Sequence, residues 1–420
     1  MLSQDRSVTL KALSAGCPEL REGSDADAVG DVVPAFVAWP SGTDQAAALL
    51  RAAAEHELAV VFRGTGSRLG WGVPPDRCDL MVDTGQLAAV LEHAAGDLVA
   101  RVQAGARVGE VADLLALAGQ EIALDVPSSA TVGGVVASGL TGPRRLRYGS
   151  PRDLLIGITV VLADGTVAHS GGKVVKNVAG YDLGKLFAGS AGTLGLITEA
   201  TFRLHPLPAA RRFVTAEYTA PTVGCDAVAA AANSPLVASA VELRRAAPGG
   251  PLQVAVLLEG SPDGVAARAG RMADLLGAAE VAPEAPEWWP GPLDFMAGGT
   301  LIRVSFWVSA LGRVLDAIDG AAVGSGLAPG VYGSAGAGVL YLGFDAGAAG
   351  VPAFIGALRA ALEHERGGVV VLAAPAAVRA ELAGHGGMAG RVPSLGLMRA
   401  VKDQFDPGHR MAPGRFPEVI

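Results

Sequence analysis

The chain has 420 residues, 50% of them hydrophobic and only 18% charged, which suits two or three compact domains and excludes disorder and coiled coil. A net charge of −8 excludes a nucleic-acid surface, because neutralising phosphates needs a basic field. The three cysteines, Cys17, Cys78 and Cys225, are far apart and form no C-x-x-C, so they supply no disulfide framework, zinc site or iron–sulfur cluster.

Residues up to about Gly30 read as a weakly patterned leader. It has no basic region followed by an apolar stretch, and no later run reaches the ~18 apolar residues of a membrane span, so a soluble, cytoplasmic chain is expected. Val32–Trp39 reads as the first strand, closed by Pro40. A helix from Asp44 to His56, capped by Thr43, and the apolar run Leu58–Phe62 complete a β-α-β unit.

That second strand runs into Arg63-Gly-Thr-Gly-Ser-Arg-Leu-Gly-Trp-Gly72. Gly64 and Gly66 remove side chains, so successive N–H groups can turn inward as an anion-binding nest. Thr65 and Ser67 add hydroxyls, and Arg63 and Arg68 add charge, a set suited to a diphosphate. A ligand-free turn is the competing reading in a chain with 58 glycines. Leu69 stands where a G-x-G-x-x-G turn needs its third glycine, and the Gly-Lys-Ser/Thr ending of a P-loop is missing. A nucleotide bound here therefore needs another architecture.

Asp79–Val82 reads as a strand, and Ala88–His93 with Leu98–Ala104 as a hairpin across Ala-Gly-Asp. A helix opens at Gly105–Glu110 and runs to about Ala118, before a short strand at Ile122–Leu124. The second informative segment follows, with Pro127, Ser128, Thr131 and Gly133-Gly134. The small residues from Val135 through Ser138 to Gly139 suit a short helix that lets a flat or phosphorylated ligand come close. Arg144, Arg145 and Arg147 read equally as a solvated cluster or as anion ligands. After the strand Leu155–Leu162 and the turn Ala163-Asp-Gly-Thr166 comes the third segment, Gly171–Thr198, whose last strand stops at Pro206.

Taken together, these segments resemble the FAD-binding domain of the vanillyl-alcohol oxidase/p-cresol methylhydroxylase (PCMH-type) superfamily. Lys176-Asn-Val-Ala-Gly-Tyr-Asp-Leu183 with Gly189-Ser-Ala-Gly-Thr-Leu-Gly195 is similar to the E-subunit family of bacterial glycolate oxidases. The resemblance implies an α+β fold: a PCMH-type FAD domain of two α+β subdomains over 32–208 after a leader 1–31, an α+β cap domain over 209–394, and a return segment 395–420. It implies that Arg63–Arg68 wraps the FAD diphosphate. Pro127, Ser128, Thr131, Gly133, Gly134, Ser138 and Gly139 would lie along the flavin and diphosphate, and Gly192, Gly195 and Ile197 would line the cofactor. Some relatives attach the flavin through a histidine in the glycine loop; none lies between Arg63 and Gly72, so the FAD is expected to be non-covalent.

The second half alternates strands and helices with little local chemistry. Trp288 and Trp289, which precede Pro290, and Phe295 read as packing or interface aromatics rather than catalytic groups. The resemblance places metal-binding histidines of the catalytic relatives at a strand and turn that here reads Val331-Tyr-Gly-Ser-Ala-Gly-Ala-Gly-Val-Leu-Tyr-Leu-Gly343, without histidine. No metal site and no catalytic base are assigned. His364, with Glu363 and Glu365 on one helix, reads as a solvated group; His385 and Tyr332 are the alternatives for a self-sufficient dehydrogenase. The tail ends in Ala412-Pro-Gly-Arg415 where the family carries Asn-Pro-Gly. The implied function is that of an FAD-binding subunit oxidising glycolate to glyoxylate, with a histidine-rich flavoprotein and an iron–sulfur protein as partners; the alternatives are a self-sufficient dehydrogenase of another small hydroxy acid or alcohol and a non-catalytic FAD-containing structural subunit. Membrane association, if any, would come through those partners.

Overall fold

The computed structural model describes all residues except 1, 174–181, 278, 290–297, 346, 366 and 416–420. The stretch Lys176–Tyr181, Pro290 and Phe295 therefore lie outside the described residues. The chain divides into two units: Met1–Thr141, Ser150–Leu207 and Pro393–Ile420 form the first, Gly142–Gly149 and Pro208–Val392 the second.

In the first unit, β1 (Leu20–Glu22), β2 (Phe36–Ala38), β3 (Val60–Arg63) and β4 (Leu80–Asp83) form a sheet of order β1-β2-β4-β3. β2, β4 and β3 run parallel, which requires a crossover, and the helix Thr43–Glu55 supplies it between β2 and β3. Both faces are buried, so the strands are apolar at successive positions. Phe36, Val60, Leu80 and Val82 pack with Leu49 and Leu50, while Val37, Val61 and Met81 pack the other way with Val29 and Cys78.

The first thirty residues are more ordered than their pattern predicts. A helix over Leu2–Gly16 sets Leu13 into the core, and a Cβ on Gly16 would lie 2.9 Å from the Ala48 carbonyl carbon, so two helix backbones meet there. Sparse apolar spacing hid a helix whose contact is made by a glycine. The strand expected over Val32–Trp39 shortens to Phe36–Ala38, since Pro34 has no N–H to give a ladder. Thr43 is not the cap: Gly42 is, and the Thr43 hydroxyl instead donates to Thr198 Oγ1 at 3.0 Å.

A second sheet of order β5-β6-β10-β8-β9 is antiparallel throughout, built from β5 (Val90–Ala94), β6 (Val99–Gln103), β8 (Leu155–Val161), β9 (Val167–Gly171) and β10 (Leu196–Arg203). The ladder expected at Ile122–Leu124 falls at β7 (Gln120–Glu121), paired with β11 (His205–Pro206). Val102, Leu115, Val136, Phe187 and Phe202 form the core beneath. The helix Leu395–Phe405 adds Phe405, edge-on to Phe187 at 5.6 Å.

Past that helix the chain closes the outer edge of β3. Val60 N–H donates to Arg410 O at 2.8 Å, and Val60 O accepts from Ala412 N–H at 2.8 Å. Lys402 is fully buried, its Nζ donating to Thr193 O, Asp406 Oδ2 and Met411 O at 2.7, 2.7 and 2.8 Å.

The second unit is one eight-stranded sheet: β12 (Ala210–Tyr218), β13 (Ala240–Arg245), β14 (Leu252–Gly260), β15 (Glu280–Ala282), β16 (Thr300–Ser305), β17 (Gly330–Gly333), β18 (Val339–Phe344) and β19 (Gly368–Ala373), in the order β15-β12-β14-β13-β17-β18-β16-β19. Strand alternation separates its faces. Tyr218 and Arg245 point to the helices: Tyr218 Oη donates to Leu276 O at 2.7 Å, and Arg245 pairs with Asp319 at 2.6 and 2.9 Å. The other face carries Arg211, Phe213, Glu259, Arg244, Tyr332, Tyr341 and Arg303, with Trp289 edge-on to Phe213 at 5.3 Å. His364, expected on a helix, lies in the turn after Val351–Ala361, and Glu365 pairs with Arg313 at 2.7 Å.

Candidate functional site

Three glycine segments meet in the first unit. Gly64 lies against Thr131: a Cβ at position 64 would overlap the threonine hydroxyl, so this approach requires glycine. Thr131 also caps the helix Val132–Ser138, its Oγ1 accepting from Gly134 N–H at 3.3 Å. Gly189 N–H and Ala191 N–H donate to Val136 O and Ala137 O at 2.9 and 2.8 Å, tying the third segment to the end of that helix. A Cβ on Gly192 would stand 3.2 Å from the Phe62 ring, and one on Gly139 would stand 3.4 Å from Gly189 Cα.

The available donors lie on the first loop. The N–H groups of Gly64, Thr65, Gly66 and Ser67 have no acceptor among the described residues, and Gly66 takes a φ of +76°. A Cβ on Gly66 would find nothing nearer than Leu69 Cδ1 at 3.6 Å, so the loop is open on that side. Consecutive amides with the Thr65 and Ser67 hydroxyls fit a diphosphate. The short helix offers no such amides. Val132, Gly133, Gly134 and Val135 donate to Ala106 O, Ala104 O, Thr131 Oγ1 and Thr131 O, which leaves its contribution as bare backbone beside Gly133, Gly134 and Gly139.

Arg63 is not a free cation. Its Nε donates to Asp83 Oδ2 at 2.7 Å and its Nη1 to Asp27 Oδ1 at 3.1 Å, so its charge is balanced inside the protein. Arg21 also donates to Asp27, at 2.7 and 2.8 Å, and holds that carboxyl well below the usual carboxylate range. Arg68 sits over the Trp71 ring at 4.8 Å. Pro127 O accepts from Ala130 N–H, and Ser128 O accepts from Gly109 N–H at 2.9 Å, where a Cβ on Gly109 would crowd Ser128. Ser138 Oγ turns back to Val135 O at 3.3 Å. Ile197 is buried in the core, and Gly195 has a φ of +152° with Val161 O 2.7 Å from where a Cβ would stand.

Arg415 braces the loop from a distant part of the chain, its Nη2 donating to Leu69 O and Trp71 O, each at 2.9 Å. Burial pulls this guanidinium down to about 10. Ala412 adopts a φ of +48°, a left-handed conformation that asparagine tolerates better than alanine. Asp27 and Asp83 carry no local signal in the sequence, whereas Lys402 and Arg415 lie in the tail Leu397–Arg415 that resembles the return segment.

Among the described residues, no group of three or more His, Cys, Asp or Glu is arranged to hold a metal ion. His364 and His385 are both exposed.

Residues 34–171 match the family model described as FAD binding domain. The glycolate oxidase subunit GlcD of Bacillus subtilis is 38% identical over 189 residues, 44% of this chain and 40% of that protein. The D-lactate dehydrogenase of Archaeoglobus fulgidus is 37% identical over 40% of this chain and 38% of its own length. The glycolate oxidase subunit GlcE of Escherichia coli is 35% identical over 38% of this chain and 45% of its own length. The chain thus spans less than half the length of the curated relatives it matches. Of solved structures, p-cresol methylhydroxylase superposes with a TM-score of 0.76 at 15% identity, covering 99% of this chain and 97% of that one. Chitooligosaccharide oxidase gives 0.70 at 17%, covering 98% and 99%. Residues 34–171 are accordingly an FAD-binding domain, set in a chain with the mixed α+β fold of the PCMH-type flavoenzymes.

Proposed function

We propose that this chain is an FAD-dependent oxidoreductase for the CH–OH group of a small 2-hydroxy acid, working as the E-like subunit of a glycolate oxidase complex. The observation that carries the reading is the run of four amides, Gly64 to Ser67, without an acceptor among the described residues, whose first residue packs against Thr131 within residues 34–171. The names of the relatives, glycolate oxidase subunits and a D-lactate dehydrogenase, support the substrate class.

FAD supplies the hydride acceptor when bound. The chain's own residues hold and orient it: the loop amides take the diphosphate, Asp27 and Asp83 fix Arg63 beneath the loop, and Arg415 fixes its far side. Pro127, Ser128, Ser138 and the glycines at 133, 134, 139, 192 and 195 form the surrounding surface. A 2-hydroxy acid must also lose its hydroxyl proton as hydride leaves. At the turn between β17 and β18 the side chains are Ser334 and Ala335, both buried, and neither is a base at neutral pH. We therefore assign proton removal to a histidine-rich partner subunit and onward electron transfer to an iron–sulfur partner. No helix among the described residues is long and apolar enough to cross a membrane, so any membrane attachment is assigned to partners.

Anaerobic mixing of the FAD-loaded chain with glycolate or D-lactate tests this. The flavin should stay oxidised with the chain alone and bleach when the partner flavoprotein is present. Rapid bleaching by the chain alone would replace the subunit reading with a self-sufficient dehydrogenase.

A further inference from the structure

The sheet face of the second unit opposite Tyr218 and Arg245 carries a row of side chains set by strand register. Arg244 on β13 stands opposite Tyr332 on β17, Tyr332 opposite Tyr341 on β18, and Tyr341 opposite Arg303 on β16. Residues directly opposite share a face, with Cβ atoms about 5 Å apart. The two tyrosine rings stack at 5.6 Å and 23°, forming a flat wall beside Arg303. In the adjoining row Gly330 faces Gly343, which adds no side chain beside the tyrosines, and Leu301 closes the row on β16.

Three arginines arrive in the segment Gly142–Gly149, and the structure separates them. Arg144 is buried and its Nη1 lies 3.5 Å from Glu259 Oε1, a carboxylate that also accepts from Arg211 at 2.9 Å; its charge is spent. Arg147 is exposed, stacked against Tyr148 at 5.4 Å. Arg145 is half-buried and acts electrostatically on both Arg303 and Tyr341. Among the described residues neither Arg145 nor Arg303 has a carboxylate partner, and Arg303 Nε is a buried donor without an acceptor. Burial, with Arg145 adding to it and Tyr341 opposing, pulls the Arg303 guanidinium below its ordinary value. Glu242, the carboxylate on the same face that bears on Tyr341, belongs to β13, three strand spacings or about 14 Å from β16.

Two guanidinium groups, one largely dehydrated and missing an acceptor, make an arrangement that an anion completes. The planar fork of arginine matches a carboxylate with two parallel N–H···O bonds, and the Gly330–Gly343 pair puts no side chain of its own beside the tyrosines. We propose that Arg145 and Arg303, walled by Tyr341 and Tyr332, form a binding site for the carboxylate of a small organic acid in this chain. The choice of acid rests on the functional reading above; the site itself rests on the sheet.

The test is calorimetric titration of the full FAD-loaded chain with oxalate, which has no C–H bond to oxidise, and with glycolate, against uncharged ethylene glycol. Oxalate and glycolate should bind and ethylene glycol should not. Arg303→Gln and Arg145→Gln should each weaken oxalate at least ten-fold with unchanged flavin content, while Arg147→Gln should bind as the parent does. If Arg303→Gln fails to fold, Arg303→Lys keeps the charge but loses the fork, and should still weaken binding. Undiminished oxalate binding in the Arg145 and Arg303 variants, or no carboxylate binding by the parent, would overturn the site. Binding that these variants lose, with a flavin that never bleaches even beside its partner, would keep the site and sink only the hydroxy-acid oxidase reading.

Discussion

Lys402 Nζ lies 2.7 Å from the carbonyl oxygen of Thr193, so a fully buried lysine after the cap region holds the third glycine segment in place. The same ammonium neutralises Asp406, which is equally buried. Lys402→Met would leave that carboxylate dehydrated and unpaired, at a cost of about 3–5 kcal/mol. Chemical denaturation should show this loss, and Lys402→Met with Asp406→Leu should recover most of it; a single variant as stable as the parent would refute the assignment.

Gly66→Leu should give a folded protein that retains no FAD. The +76° φ suits glycine, and a leucine side chain would fill the open side of the loop. The flavin-to-protein absorbance ratio reads this directly, beside a circular dichroism spectrum matching the parent. The parent itself should release intact FAD on acid precipitation, since residues 63–72 include no histidine.

Asp27 makes stability depend on pH. Arg21 chiefly, then Ser24 and Arg63, hold its carboxyl low against the opposing effect of burial. The folded state binds this proton less readily than the unfolded chain, so the contribution is complete above about pH 4 and is lost as pH falls towards the folded value. Asp27→Asn should cost roughly 1–3 kcal/mol at pH 7. Its stability should then decline less steeply than the parent's between pH 5 and 3; parallel acid limbs would rule out this role.

Ala412→Gly should stabilise the protein by roughly 0.5–1 kcal/mol, because the left-handed φ of +48° strains alanine and not glycine. A higher midpoint in thermal unfolding is expected, and a lower one would mean that the buried methyl group outweighs the backbone strain.

What could be read from the chain beforehand was local. The hairpin at Ala-Gly-Asp, the β-α-β unit and the glycine loop depend on turn chemistry and on apolar spacing within a few residues. The partners of Arg63 could not be read, because Asp27 and Asp83 lie 36 and 20 residues away, and a cation beside glycines looks the same whether it faces a phosphate or two carboxylates. The Arg144, Arg145 and Arg147 ambiguity had the same origin: only folding places Glu259 beside the first and leaves the second without a carboxylate among the described residues. The helix Leu2–Gly16 escaped notice because close backbone packing at Gly16 stands in for an apolar stripe.

The closure of β3 by Arg410 and Ala412 also bears on how the protein is made. Arg410 Nη1 reaches Leu58 O across 352 residues of sequence. At 5–20 residues per second, a ribosome takes roughly 20–70 s to synthesise that stretch. Through that interval the outer edge of β3 offers unpaired amides and carbonyls to any extended peptide nearby. A message truncated before codon 410 would yield a chain in which β3 stays an open template, and such a product should be found with chaperones or in inclusion bodies.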